Sequence, residues 1–160
     1  NGDDHAHLIQ IKKNSVYPVL SKILKDHNIK KIFHYARFDL AAIEKNLGIL
    51  CENIYCTKIA SKLVRTYTDK HGLKELCKEL INVDISKQKQ SSDWGNFILT
   101  NDQLKYAASD VLYLHKIKHE LDIILTRENR LELAEKLFKF IGTRAHLDLN
   151  GWNEPDIFDH

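Results

Sequence analysis

Two stretches of this sequence carry side chains that could act on one reacting group. The first is Tyr106-Ala-Ala-Ser-Asp110, in which a phenol and a carboxylate stand four residues apart. On a helix that spacing puts both on one face, within reach of a single site. An ordinary solvated helix face offers the same pair, so the spacing alone leaves both readings open. The second is His34-Tyr-Ala-Arg-Phe-Asp39, where an apolar run ends, the chain turns and a helix begins. Asp39 falls in the first turn, where a carboxylate complements the helix dipole by a few tenths to about 1 kcal/mol. The end of a strand in an α/β sheet is also where sites are usually built. A carboxylate there, with Arg37 and His34 beside it, could hold a divalent cation and steer a phosphate.

The elements that must position these groups can be read from periodicity. Residues 31–36 read as a strand and 38–47 as a helix closed by Gly48. Residues 53–56 read as a short strand passing directly into a helix over 57–64. Upstream, 5–11 reads as a strand. The helix after it is capped by Asn14 or Ser15, has Pro18 in its first turn, and carries Val16, Val19, Leu20, Ile23 and Leu24 as an apolar stripe. Alternating strand and helix predicts an α/β fold with at least part of its sheet parallel. From Gly72 the reading is helical, with Leu73, Leu76, Cys77 and Leu80 on one face and a polar loop over 87–95. Thr100 and Gln103 fit a capping box that opens a long helix to about Arg127. Leu104, Ala108, Val111, Leu114, Ile117, Leu121 and Ile124 predict one continuous buried face along it. A last helix covers 131–141, and residues 150–160 read as an acidic tail.

With 160 residues, 43% hydrophobic, the chain fits one domain with a sizeable core and is neither disordered nor collagenous. No apolar run approaches the roughly 20 residues of a membrane span, and no signal segment is visible. Three cysteines without C-x-x-C spacing point to reduced thiols in the cytoplasm. A net charge of +2 excludes little, but its distribution is informative. Residues 57–89 hold eight basic side chains against four acidic, whereas 145–160 hold four acidic and no lysine or arginine. Each lysine alone fits a solvated face; the segment, with Tyr67, His71 and Trp94 nearby, fits a single-stranded nucleic-acid track. Trp94 could stack on a base or pack. His115 and His119, and His5 and His7, have metal-pair spacings but no further ligand in register.

Together these segments resemble the ribonuclease D family. Phe33-His-Tyr-Ala-Arg-Phe-Asp-Leu40 is similar to its second exonuclease motif, and Tyr106-Ala-Ala-Ser-Asp-Val-Leu-Tyr-Leu114 to its third. Between them Tyr55-Cys-Thr-Lys-Ile-Ala-Ser61, Thr66-Tyr-Thr-Asp-Lys-His-Gly-Leu73 and Ser91-Ser-Asp-Trp94 resemble it in the same order. The likeness runs from about Ala6 to Asp148 and is nearest the short, stand-alone form, with tyrosine in the third motif. It implies a ribonuclease-H-like fold, a mixed sheet flanked by helices with a largely helical C-terminal half. It also implies a 3′-to-5′ exonuclease that uses four acidic residues and two divalent cations, Mg²⁺ or Mn²⁺, on single-stranded RNA 3′ ends, with DNA possible.

By that resemblance Asp39 and Asp110 belong to the metal site, and Tyr106 orients the attacking water. His34, Arg37, Phe38, Lys58, Arg65, Lys70, His71, Lys74 and Trp94 form the expected nucleic-acid contacts. The family's first motif, Asp-x-Glu on an opening strand, has no counterpart here; Asp3 and Asp4 sit in a turn and do not replace it. With no methionine either, residues 1–160 are expected to be one exonuclease domain without its opening strands. Such a chain is expected to be inactive by itself, to hold both cations poorly, and to self-associate through a bared sheet edge. The alternative is a non-catalytic nucleic-acid-binding or assembly module on the same fold.

Overall fold

The computed structural model describes residues 5–12, 15–85 and 92–159. In chain order the elements are α1 (Pro18–Lys25), β1 (Lys31–Phe33), α2 (Ala36–Leu47), β2 (Ile54–Cys56), α3 (Thr57–Val64), α4 (Leu73–Ile81), α5 (Asn101–Leu112), α6 (Leu114–Arg127) and α7 (Leu131–Leu149). Strands β1 and β2 pair in parallel, with Lys31 opposite Ile54 and Phe33 opposite Cys56. The α/β expectation holds, with the helical second half. Among the described residues the sheet is a two-stranded parallel pair.

Parallel strands need a crossover, and α2 supplies it. Gly48 ends α2 in the left-handed conformation (φ 64°), its N–H bonded to Glu44 O at 2.9 Å. β2 is buried at all three positions, as a strand covered on both faces must be. The core joins Leu40 of α2, Tyr55 and Cys56 of β2, and Ala60 of α3 to Leu121 of α6 and Phe138 of α7. Helix α7 packs along α2 and α3, and α6 along α3 and α4.

Four expectations are corrected. Residues 5–12 form no strand. They lie against the 94–99 segment instead, with the Gln10 side chain donating to Asn96 O at 3.2 Å and the Lys12 ammonium 5.1 Å from the Phe97 ring centroid. Alternating residues do not make a strand without a neighbour for the backbone groups. Helix α1 starts at Pro18 after Tyr17, which makes no side-chain cap, and most of its apolar stripe faces solvent, Val16 being 92% exposed. Asn14 lies outside the described residues.

The predicted long helix breaks at Tyr113 into α5 and α6. Its capping box is present, with Gln103 N donating to Thr100 Oγ1 at 3.3 Å and Thr100 N to Gln103 Oε1 at 2.9 Å. Only α6 reaches the core: Leu114, Ile117 and Leu121 are buried, but Leu104 and Val111 are exposed. Finally, α7 runs to Leu149, and the segment after it is not a free acidic tail. Arg144 holds it through Asp156 (2.7 Å) and Trp152 O (3.0 Å).

Candidate active site

The register that sets Phe33 beside Cys56 brings the C-terminal ends of both strands together, and α2 and α3 start there. In front of these ends opens a cleft of about 550 Å³. Asp39 from the first turn of α2, and Tyr106 and Asp110 from α5, all line it. His34, Lys58 and Lys74 line it too. Residues separated by 71 positions thus share one cavity, which their spacing alone left open.

Both carboxylates of the cleft are perturbed. Asp39 keeps solvent contact, yet the protein around it, then the negative charge of Asp110, pushes its carboxyl up to about 6. Burial also raises Asp110. The Tyr106 phenol is raised, by burial first and then by Asp110, so it stays protonated near neutrality and can donate a hydrogen bond.

Carboxylate oxygens disfavoured as anions and facing one cavity are the donor chemistry that a hard cation of the Mg²⁺ or Mn²⁺ class satisfies. The residues present fit such an ion. Among the described residues no group of three or more His, Cys, Asp or Glu side chains gathers, so the oxygens supplied are few for two ions. His115 and His119 are exposed on α6, and His5 and His7 on the irregular opening segment.

Local structure holds the surrounding side chains. His34 Nδ1 lies 2.9 Å from Thr57 Oγ1, and that hydroxyl donates to Phe33 O at 3.2 Å, tying the two strand ends together. Trp94 sits beside Tyr106, ring centroids 5.9 Å apart. Gln103 Nε2 fixes the approach by donating to Asp93 O at 2.8 Å. Gln103 of the α5 capping box therefore also holds the tryptophan beside Tyr106, although Trp94 itself lines a neighbouring cavity with Leu8 and Gln10 and not the cleft. Phe38 is exposed and meets Tyr35 edge to face at 4.7 Å.

Part of the expected nucleic-acid set stands elsewhere. Arg65 is 1% exposed and spends its guanidinium on Glu79, Ser61 Oγ (3.1 Å) and Lys70 O (2.6 Å). It braces α3 against α4 and cannot reach a ligand's backbone. His71 is buried, with Nδ1 2.9 Å from Ser61 Oγ, and its pKa is lowered by burial and then by Arg65 and Lys62. It is a neutral, structural histidine. Arg37 forms a bidentate pair with Asp148. Lys70 is exposed but does not line the cleft; Lys74 does line it and also pairs with Asp84 at 3.4 Å. Lys87, Lys89 and Ser91 lie outside the described residues.

Three participants escaped the sequence reading. Thr57 orients His34, and its signal was a hydroxyl directly after a strand. Asp148 answers Arg37 from 111 residues away, which no local pattern reveals. Tyr35, in the turn between β1 and α2, adopts a left-handed backbone (φ 68°) that side chains other than Gly, Asn and Asp seldom take.

Known proteins resemble this chain in sequence and in fold. A family model described as 3′–5′ exonuclease matches residues 1–126. The structure of NrnC from Brucella melitensis is 58% identical and superposes with a TM-score of 0.85, over 88% of this chain and 68% of that one. The same protein bound to pGG gives 56% identity and a TM-score of 0.87, over 94% and 71% of the two chains. It has also been solved with bound Mg²⁺. Ribonuclease D of Xanthomonas oryzae is 34% identical over 134 residues, 83% of this chain. The chain spans only 37% of that relative's length. Both exonuclease segments fall inside the matched region, and the chain belongs to the 3′–5′ exonuclease family.

Proposed function

We propose that this chain, as one exonuclease domain, serves the metal-dependent hydrolysis of phosphodiester bonds at the 3′ end of single-stranded RNA. The observation that carries the reading is the meeting of Asp39, Tyr106 and Asp110 in one cleft with Lys58 and Lys74. Asp39 and Asp110 would hold divalent cations, which when bound supply the positive charge that offsets negative charge building on the phosphate. Tyr106 keeps its proton and positions water through its hydroxyl rather than acting as a base. Lys58 and Lys74 attract the phosphates, and Trp94 offers an aromatic face to a terminal base. The Mg²⁺-bound and pGG-bound states of NrnC support the cation and nucleotide parts of this reading. Three free thiols, and the absence among the described residues of any helix long and apolar enough to cross a membrane, accord with a cytoplasmic setting.

The second reading, a non-catalytic binding module, is favoured by one observation: among the described residues Asp39 and Asp110 are the carboxylates that line the cleft. Two carboxylates bring too little charge to keep two cations close together, so these 160 residues by themselves should not hydrolyse RNA. The deciding experiment compares them with a version extended at the N-terminus by its natural preceding residues. End-labelled RNA and DNA strands are incubated with Mg²⁺ or Mn²⁺. Stepwise 3′ shortening of RNA by the extended version alone supports the enzyme. Binding without shortening by both supports the module. Equal shortening by both would show that other carboxylates complete the site.

A further inference from the structure

Residues of α3 and α7 line another cavity of about 240 Å³, which shares Tyr35 and Lys58 with the cleft. Ile59, Leu137 and Ile141 line it together with the rings of Phe140 and Tyr35. Four cations stand around it: Arg37, Lys58, Lys62 and Arg144. Asp148 accepts from both arginines, and Asp156 pairs with Arg144. Among the described residues neither Lys58 nor Lys62 is in an ion pair. Two carboxylates against four cations leave two positive charges facing an apolar pocket. One phosphate monoester carries roughly −1.5 to −2 near neutrality and balances them.

Tyr35 and Lys58 line both this pocket and the cleft. Tyr35 is 40% exposed, and the Lys58 ammonium lies 3.5 Å from its ring centroid. Tyr35 holds a left-handed backbone (φ 68°), and strain of that kind clusters at active sites and ligand clamps. The volume falls below the roughly 300–1,000 Å³ of drug-sized sites, so the occupant is one small unit rather than a length of strand.

We infer that this pocket is a second nucleotide site, taking one base on its apolar wall and one phosphate at Lys62 and Lys58. The choice of a nucleotide among anionic aromatic ligands rests on the exonuclease reading; the pocket's chemistry does not. The occupant is a free mononucleotide or one nucleotide of a strand whose end lies in the cleft.

The test measures equilibrium binding of adenosine 5′-monophosphate to the chain and to Lys62→Glu, Phe140→Ala and Asp110→Asn. Lys62 is exposed, so its reversal leaves the fold intact even where Phe140→Ala does not. Lys62→Glu should weaken binding at least about tenfold, since a charge-assisted contact becomes a repulsion. Asp110→Asn should leave it within about twofold, the site lying outside the cleft. A single-stranded oligonucleotide that displaces the mononucleotide, and is itself sensitive to Lys62→Glu, marks the strand as source. Simultaneous binding of both marks the free mononucleotide. Affinity unchanged in Lys62→Glu, or abolished in Asp110→Asn, overturns the second site while leaving the exonuclease reading standing. Failure of the extended chain to cut RNA, with Lys62-sensitive binding retained, does the reverse.

Discussion

Arg37 donates two hydrogen bonds to Asp148, at 2.6 and 2.8 Å, and so ties the turn that carries Asp39 to the far end of α7. Asp148 also accepts from Arg144 at 2.9 Å, so one carboxylate serves two guanidinium groups. The bonds from Arg37 hold its pKa below the ordinary carboxylate range. Asp148→Asn should therefore cost about 2 kcal/mol of stability, a partly exposed pair losing less than a buried one. A carboxylate lowered in the fold contributes stability above its unfolded value and loses it as pH falls through the folded one. Urea melts of both proteins should show a constant gap above about pH 5 that closes below about pH 4. A gap that persists in acid would show that shape, not charge, is what Asp148 provides.

Arg65 should behave as a structural residue. Its replacement by Ala removes a buried guanidinium from Ser61 and from the Lys70 carbonyl, while the exposed Glu79 keeps Tyr67 and water as partners, and should cost about 2 kcal/mol in thermal or urea unfolding. The slope of log affinity against log salt for a single-stranded RNA should not change, because Arg65 touches no phosphate. A stable variant with a flattened slope would return Arg65 to the nucleic-acid surface.

What was legible in the sequence was whatever local physics dictates. The apolar run before Cys56 followed by Thr57, the Gly48 stop and the Thr100–Gln103 box each settle their own boundaries, and each stands where expected. The family motifs named Asp39, Tyr106 and Asp110, and the fold gathers them in one cleft. Charge counting did less well. Arg65 and Lys58 look alike in a basic segment, but one is spent on Glu79 and the other lines the cleft, and only tertiary packing separates them. The continuous stripe from Leu104 to Ile124 misled for a similar reason. Periodicity shows that one face is apolar but not what covers it, and a break at Tyr113 sends the two halves to different surroundings. Among the described residues the alternation at 5–11 has no paired strand to make it a ladder.

Tyr106→Phe removes one hydroxyl from an intermediate-exposure position and should change stability by no more than about 0.5 kcal/mol. In a catalytically competent, N-terminally extended chain it should slow single-turnover hydrolysis roughly 10- to 100-fold, at the low end of what proton-positioning groups supply. RNA affinity should hold, since the ring and its contact with Trp94 remain. An unchanged rate under conditions where chemistry limits turnover would remove Tyr106 from the reaction.

Salt dependence should follow the lysines that line the cleft. Neutralising Lys58 and Lys74 together should flatten the slope of log affinity against log salt by up to about 1.4, at roughly 0.7 for each single-strand phosphate contact. Lys70, which does not line the cleft, should contribute less when neutralised alone. Equal slopes for the double variant and the parent chain would place the RNA track on another face.

The paired carboxylates make cation binding and pH dependence one measurement. Asp39 is raised to about 6, by burial first and by Asp110 second, so the folded chain holds that proton more tightly than the unfolded one. Its stability without cation should therefore fall as pH rises from about 4 toward 6, and stay lower above that. A divalent ion binds only the folded form there and competes with the proton, so it should raise the melting temperature more at about pH 8 than at about pH 5. Asp39→Asn removes the charge that the fold disfavours. It should melt higher than the parent chain at about pH 8 in chelator, by an amount that shrinks toward about pH 4, and it should lose most of the Mn²⁺-induced rise. Asp110→Asn should bring Asp39 only part of the way back to its ordinary range, because burial, the larger cause, remains. Melting curves in chelator and in Mn²⁺ across this range, for the parent and both variants, separate these terms. A full Mn²⁺ shift in Asp39→Asn would show that the ion is held elsewhere than between Asp39 and Asp110.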